Sequence, residues 1–346
     1  MAARRYLRTK RPIPLDKALA AQAKEDIQRY QAQVDEYHNL LSIFRSVGDA
    51  LAFIYLDKWD IKPMAFREDA GFISGKKGAY LERRILRDAF KSGRIAIMND
   101  LTDSLRYGDV TLLTEQGVLL VEAKSTRRAN RRTKRQEEAL DTIEGYLATG
   151  YAKDLYRPGW QIQRRPLHKQ ERHRRRELNE LIRDAYAGTR NHVQVEDGLF
   201  YYIETTQTSA ILDHLTSFLS DIDGRCSETR LAFYLNLLKH DMVAYYPYVL
   251  SIEDPQALFD FYSGDLILLV LIDGEVMTKR LASEGLALSF HEDEEQSLVV
   301  DYLSPGNKEI GPMSISRHFF WRVPCEFLSL DWFLEEISQR AYSLWH

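Results

Sequence analysis

Tyr107-Gly108-Asp109-Val110-Thr111-Leu112-Leu113, then Thr114-Glu115-Gln116-Gly117, then Val118-Leu119-Leu120-Val121-Glu122-Ala123-Lys124 is the stretch on which the reading of this chain turns. It reads as two strands joined by a short turn, with aliphatic residues on both sides and Gly117 at the turn. Asp109 stands early on the first strand, and a Glu-x-Lys pair ends the second. A run of four apolar residues buries its strand, and burying an unpaired charge is strongly unfavourable. A carboxylate and an amine directly after such a run therefore need a reason, and a divalent metal site supplies one.

Working outward, residues 78–92 predict a helix that stops at Gly93. Ile85, Leu86 and Ala89 follow Glu82 at three, four and seven positions, which puts Glu82 on the apolar face. Such a carboxylate is either paired with an arginine such as Arg83 or Arg87 or directed at an interior site. Strands are expected over 94–98, over the Asp109 segment and over the Glu122 segment. A helix over roughly 131–147 carries Gln136, Leu140, Ile143 and Leu147 on one stripe, so Gln136 begins the face toward the sheet. A fourth strand over 199–204 and a helix over 209–219 complete the order helix, three strands, helix, strand, helix. Before all of this, Leu15, Leu19, Ile27, Tyr30, Val34, Tyr37, Leu41 and Phe44 recur at helical intervals over 15–60. That segment is a long arm or an antiparallel pair broken near Gly48, packed on its own domain or on a second copy, so a homodimer is one partner it admits.

At 346 residues the chain has room for two domains on the usual ~100–200 residues each. No segment approaches the ~18 apolar residues of a membrane span, so no membrane partner and a cytoplasmic location are expected. The two cysteines, Cys226 and Cys325, are too few and too isolated for a zinc site or a disulfide framework. Net charge is -4, but residues 127–190 hold 17 Lys and Arg against 9 Asp and Glu, while residues 251–311 hold 3 against 13. A basic segment directly after a candidate metal site is what binding a polyanion calls for. Arg127, Arg128, Arg131, Arg132, Lys134, Arg135, Arg164, Arg165, Lys169, Arg174, Arg175 and Arg176 are its candidate contacts with nucleic acid. The competing expectation is a solvated helix face, with Arg174–Arg176 answered by Glu177 and Glu180.

The residue types suit one reaction. Hydrolysing a phosphodiester adds charge to an anionic group, and preorganised cations stabilise it. Mg²⁺ or Mn²⁺ takes hard oxygens, so Asp109, Glu122 and the carbonyl of Ala123 make a sufficient set. Lys124 projects to the same face as Glu122, where it orients the attacking water.

Gly78 with Glu82, Tyr107-Gly108-Asp109 and the run from Gly117 to Glu122-Ala123-Lys124 resemble the PD-(D/E)xK nuclease superfamily over roughly residues 75–220. The resemblance implies a restriction-endonuclease-like α/β core acting on DNA, with RNA left open, in restriction, phage defence or repair. It implies Asp109, Glu122 and Lys124 as the catalytic core, Glu82 as an auxiliary carboxylate and metal ligand, and Gln136 as the downstream glutamine of some branches. Gly108 stands where the family name has proline, and Leu140 where some branches have tyrosine. A different class of function keeps this fold in a non-catalytic or partner-dependent nucleic-acid-binding subunit.

The expected division is a helical arm over 1–70, a nuclease-like core over 71–224 with a basic insertion at 150–198, and an acidic α+β or β-rich module over 225–346. That module is assigned to protein contact or to shielding the basic channel, not to substrate binding. Gly71 to Lys77 is not a phosphate-binding loop, having three residues between its glycines where four are needed. His168 and His173 lack metal-ligand spacing, and residues 292–295 read as a solvated hairpin tip.

Overall fold

The structure is a computed structural model that describes residues 17–65, 79–114, 117–123, 131–156, 159–206, 211–223, 227, 229–239, 243–291, 296–303 and 311–345. Lys124, the glycine-containing segment 71–77 and the acidic run over 292–295 lie outside them. The chain is mixed α/β with several small antiparallel sheets.

Helix α1 (Lys17–Tyr55) is one unbroken helix, so of the two alternatives the segment is the long arm and not a pair broken near Gly48. Glycine is there for another reason: a Cβ at position 48 would lie 2.1 Å from the carbonyl oxygen of Leu101. The last third of α1 buries Ser46, Asp49, Ala50 and Ala52, whereas Tyr30, Val34, Tyr37 and Phe44 on the arm are exposed. Helix α2 (Lys58–Ala65) follows.

The first sheet holds β1 (Ile95–Met98), β2 (Val110–Thr114) and β3 (Gly117–Val121), all antiparallel in that order. Strand alternation sorts its side chains onto two faces. Ala96, Val110, Leu112 and Val121 meet Ile85, Leu86 and Ala89 of α3 (Ala79–Lys91). Ile97, Leu113 and Leu120 meet Ala52 of α1, Ile61 and Met64 of α2, and Ile143 and Tyr146 of α4 (Arg131–Thr149). Helix, sheet and helices are thus stacked as three layers, and the order helix, three strands, helix stands as expected. A small hairpin, β4 (Tyr151–Lys153) with β5 (Gln161–Gln163), extends this part.

The fourth strand corrects the expectation. Residues 199–205 do form β7 (Leu199–Thr205), but it does not join β1–β3. It pairs with β6 (His192–Glu196) and β9 (Leu266–Asp273) in a sheet ordered β6-β7-β9-β8, where β8 is Arg230–Tyr234. The reason is burial on both faces. Tyr201 and Ile203 enter one core with Phe261, Phe327 and Trp332, while Phe200 and Tyr202 pack on Phe218 and Ile222 of α6 (Ile211–Asp223). A strand with no polar face needs a neighbour on each side and cover above and below, and the equally apolar β9 provides it. The sheet therefore runs across residue 224, so the expected boundary falls inside one body.

That second body starts with α5 (Arg175–Tyr186) and ends at α11 (Leu330–Trp345). It also contains α7 (Leu235–Leu238), α8 (Pro255–Ser263), α9 (Gly274–Ser283), α10 (Arg317–Cys325) and a third sheet of β10 (Leu286–Phe290), β11 (Gln296–Tyr302) and β12 (Met313–Ser316). The Asp273 carboxylate caps α9, accepting from the N–H groups of Glu275 and Val276. No described helix is long and apolar enough to cross a membrane.

Candidate active site at the end of the hairpin

The bend at Gly108 sets the site. Its φ is +75°, in the left-handed region, and a Cβ there would sit 3.0 Å from the Val121 carbonyl oxygen. Proline, fixed near -65°, is excluded from this conformation. Glycine is therefore what this bend requires. The register Val110↔Val121 then makes Asp109 and Glu122 neighbours at the open end of the ladder.

Three hydrogen bonds fasten Asp109. Its N–H donates to the Val121 carbonyl at 2.8 Å, its carbonyl accepts from the Asn99 N–H at 3.0 Å, and its Oδ2 accepts from the Ala123 N–H at 2.7 Å. The carboxylate is thus held by the backbone of the residue after Glu122. Asp109, Glu122 and Ala123 are all partly exposed, open to an incoming group.

Asn99 was not legible as part of the site. It is buried in the short helical turn after β1. Its amide donates to the carbonyls of Tyr107 at 2.7 Å and Gly108 at 3.2 Å, and its Oδ1 accepts from the Thr111 hydroxyl at 2.7 Å. One side chain therefore fixes both sides of the Gly108 bend. The only sequence signal is a polar residue directly after an apolar strand. The adjoining loop is held from α1, where the buried Asp49 carboxylate accepts from the N–H groups of Asp103 at 3.0 Å and Ser104 at 2.9 Å. Burial, and then the charge of Asp103, push its pKa up to about 7.

Glu82 is 4% exposed in the first turn of α3, on the stripe that packs against Ala96, Val110 and Val121, so it faces inward as expected. Among the described residues, however, no three His, Cys, Asp or Glu side chains are gathered as a metal site would need. Glu82 does not join Asp109 and Glu122 in a three-carboxylate cluster. The pair with the Ala123 carbonyl needs no third side chain, and its all-oxygen chemistry fits Mg²⁺ or Mn²⁺.

The other candidates divide. Lys124, Arg127 and Arg128 lie outside the described residues, as do the side chains of Arg131, Arg132, Arg135 and Gln136. Lys134 is exposed on α4, 3.8 Å from Glu138. Arg164 pairs with Asp60, and Arg165 is exposed with no ion-pair partner among the described residues. From Lys169 onward several of the basic residues are paired with acidic residues of the same chain. Lys169 and Arg172 share Glu335 at 2.7 and 2.9 Å, Arg174 pairs with Glu196 and Glu177, and Arg176 with Glu180 at 2.9 Å. Arg175 donates to the Leu250 carbonyl and stacks over Tyr246. Of these acidic partners Glu335 comes from the C-terminal part, whereas Glu177, Glu180 and Glu196 lie in or next to the basic segment itself.

No protein-family model matches the chain, and no curated protein or solved structure matches it.

Proposed function

We propose that the chain is a metal-dependent nuclease of the PD-(D/E)xK type that hydrolyses DNA phosphodiesters. The observation that supports this most is Asp109, bent into place by Gly108 and bonded to the N–H of Ala123, beside Glu122 on the neighbouring strand. Asp109, Glu122 and the Ala123 carbonyl would hold Mg²⁺ or Mn²⁺, which when bound supplies positive charge where a phosphodiester gains negative charge. The protein's own part is positional. Asn99 keeps the Gly108 bend rigid, the Ala123 N–H orients the Asp109 carboxylate, and α3 places Glu82 behind the sheet. Lys124 orients the attacking water in this reading, from its place two residues after Glu122.

The test is supercoiled plasmid incubated with purified protein and Mg²⁺ or Mn²⁺. Nicked or linear product is expected, falling on the order of a thousandfold in Asp109→Asn and in Lys124→Ala. Cleavage that survives Lys124→Ala would refute the mechanism. Among the described residues no third His, Cys, Asp or Glu is gathered with the pair, which favours a second reading, a subunit that binds nucleic acid and cuts only with a partner. Wild-type protein that binds DNA but leaves plasmid intact with either metal would decide for it.

A further inference from the structure

A groove of about 880 Å³ opens between the two bodies, away from the hairpin residues just described. Lys62 of α2, Tyr151 of β4, Tyr156 and Arg165 stand on one side, and Phe319 of α10 and Arg340 of α11 on the other. Aromatic and cationic side chains share its walls, and no described residue lining it is Asp or Glu. In a chain with a net charge of -4 that exclusion of carboxylates is selective.

The nearest carboxylates are already engaged. Asp60 pairs with Arg164, and Glu336 accepts from Arg340 Nε at 2.7 Å. Arg165 and Lys62 have no ion-pair partner among the described residues, and Lys62 lies largely buried with Arg322 nearby, so its ammonium is pushed down to about 8. Beside these two cations short of counter-charge, Tyr151 is 46% exposed. Cations that meet phosphate, set among aromatic faces that take unpaired bases, are the chemistry of single-strand recognition. A duplex hides its bases and offers such faces nothing to stack on.

We propose that this groove binds single-stranded nucleic acid, with phosphates on Lys62 and Arg165 and bases against Tyr151 and Tyr156. The inference rests on the nuclease reading for its biological sense, since it names the form of substrate that the chain engages. Its binding chemistry stands on the groove alone.

The experiment is fluorescence anisotropy of labelled (dT)12, and of a blunt duplex of equal length, with the full chain in EDTA so that no cleavage occurs. The strand is expected to bind at least tenfold more tightly than the duplex. Arg165→Glu and Tyr151→Ala are each expected to weaken strand binding about tenfold or more, while Arg183→Glu, at an exposed cation outside the groove, leaves it unchanged. Arg165→Ala should also lower the salt dependence of log Kd by about 0.7, the share of one phosphate contact on a single strand. Circular dichroism melting verifies that these surface variants remain folded. Equal binding of duplex and strand, or unchanged affinity in both groove variants, overturns the proposal. Asp109→Asn separates the two claims: it abolishes cleavage under the nuclease reading and keeps (dT)12 binding under this one.

Discussion

Asp109 and Glu326 are both held carboxylates, one at the open end of the first sheet and one in the core of the second body, and they are held by opposite means. Asp109 accepts from a backbone N–H. Glu326 takes two bonds from the Arg322 guanidinium, at 2.8 and 2.6 Å, and Arg322 also reaches Glu171 at 2.6 Å. A backbone donor orients a carboxylate and leaves its formal charge in place, whereas a guanidinium cancels it. Placement without neutralisation suits a group that must receive a cation; placement with neutralisation suits a group that must stay buried. The same contrast divides the basic segment, where Lys169, Arg172, Arg174 and Arg176 are matched by acidic partners while Arg165, among the described residues, is not.

The sharpest way to break the comparison is to delete the neutralising partner. Arg322 is 1% exposed, so Glu326→Ala leaves a buried cation short of its main counter-charge. The expected loss is about 3–5 kcal/mol of unfolding free energy by chemical denaturation. Plasmid cleavage per folded molecule should not change. A loss below about 1 kcal/mol would mean that Glu171 alone suffices for Arg322.

At the hairpin end the corresponding change is Asn99→Ala, which strips the Tyr107 carbonyl of its amide donor and the Thr111 hydroxyl of its acceptor. Leaving such buried groups unpaired is expected to cost about 2 kcal/mol. Because the bend carries Asp109, cleavage should fall further than stability, and amide exchange should quicken at residues 107–109. Unchanged exchange there would show that Gly108 alone holds the bend.

These contacts also mark how far the sequence could be read. The Asp109 and Glu122 strands and the inward face of Glu82 follow from local periodicity, and all three stand in the structure. What was not legible depends on partners far along the chain. Residues 199–205 read as a strand from their own composition, but its neighbour β9 begins at Leu266, and nothing near Leu199 announces that pairing. Asn99 reads as a loop residue until Tyr107 and Thr111 fold back over it. Counting charge had the same weakness. It found the basic 127–190 segment and the acidic C-terminal part, but a count cannot say that Glu335 and Glu196 would neutralise Lys169, Arg172 and Arg174.

A smaller effect separates the two regions by pH. His173 sits beside the Arg322 network, with Nδ1 3.3 Å from the Glu326 carbonyl and Nε2 3.8 Å from Glu171. Burial, then the charge of Arg175, lower its pKa to about 4. The folded state therefore holds neutral His173 where the unfolded chain, at the ordinary value near 6.5, takes up a proton. The neutral form's contribution is intact above about 6.5 and is lost as pH falls toward 4. Asp49, raised to about 7, works in the opposite sense over the same range, gaining stability as it protonates. The measurement is therefore a difference: from pH 7 to pH 4 the wild type should lose about 1–2 kcal/mol more than His173→Gln. Parallel curves would place the proton elsewhere.

The smallest effect tests whether matching charges implies that they matter. Arg176 and Glu180 meet at 2.9 Å on α5, four residues apart, with the arginine side chain 86% exposed. On a helix surface such a pair is worth about 0.3–0.5 kcal/mol and is screened by salt, because water already solvates both ions. Arg176→Ala should shift unfolding by no more than that, and the shift should vanish in high salt. It should also leave (dT)12 affinity untouched, since Arg176 has its counter-charge and lies outside the groove. A tenfold loss of binding in Arg176→Ala would mean that Glu180 is displaced when a phosphate arrives. Ion pairing within the chain would then no longer separate the structural arginines from the binding ones.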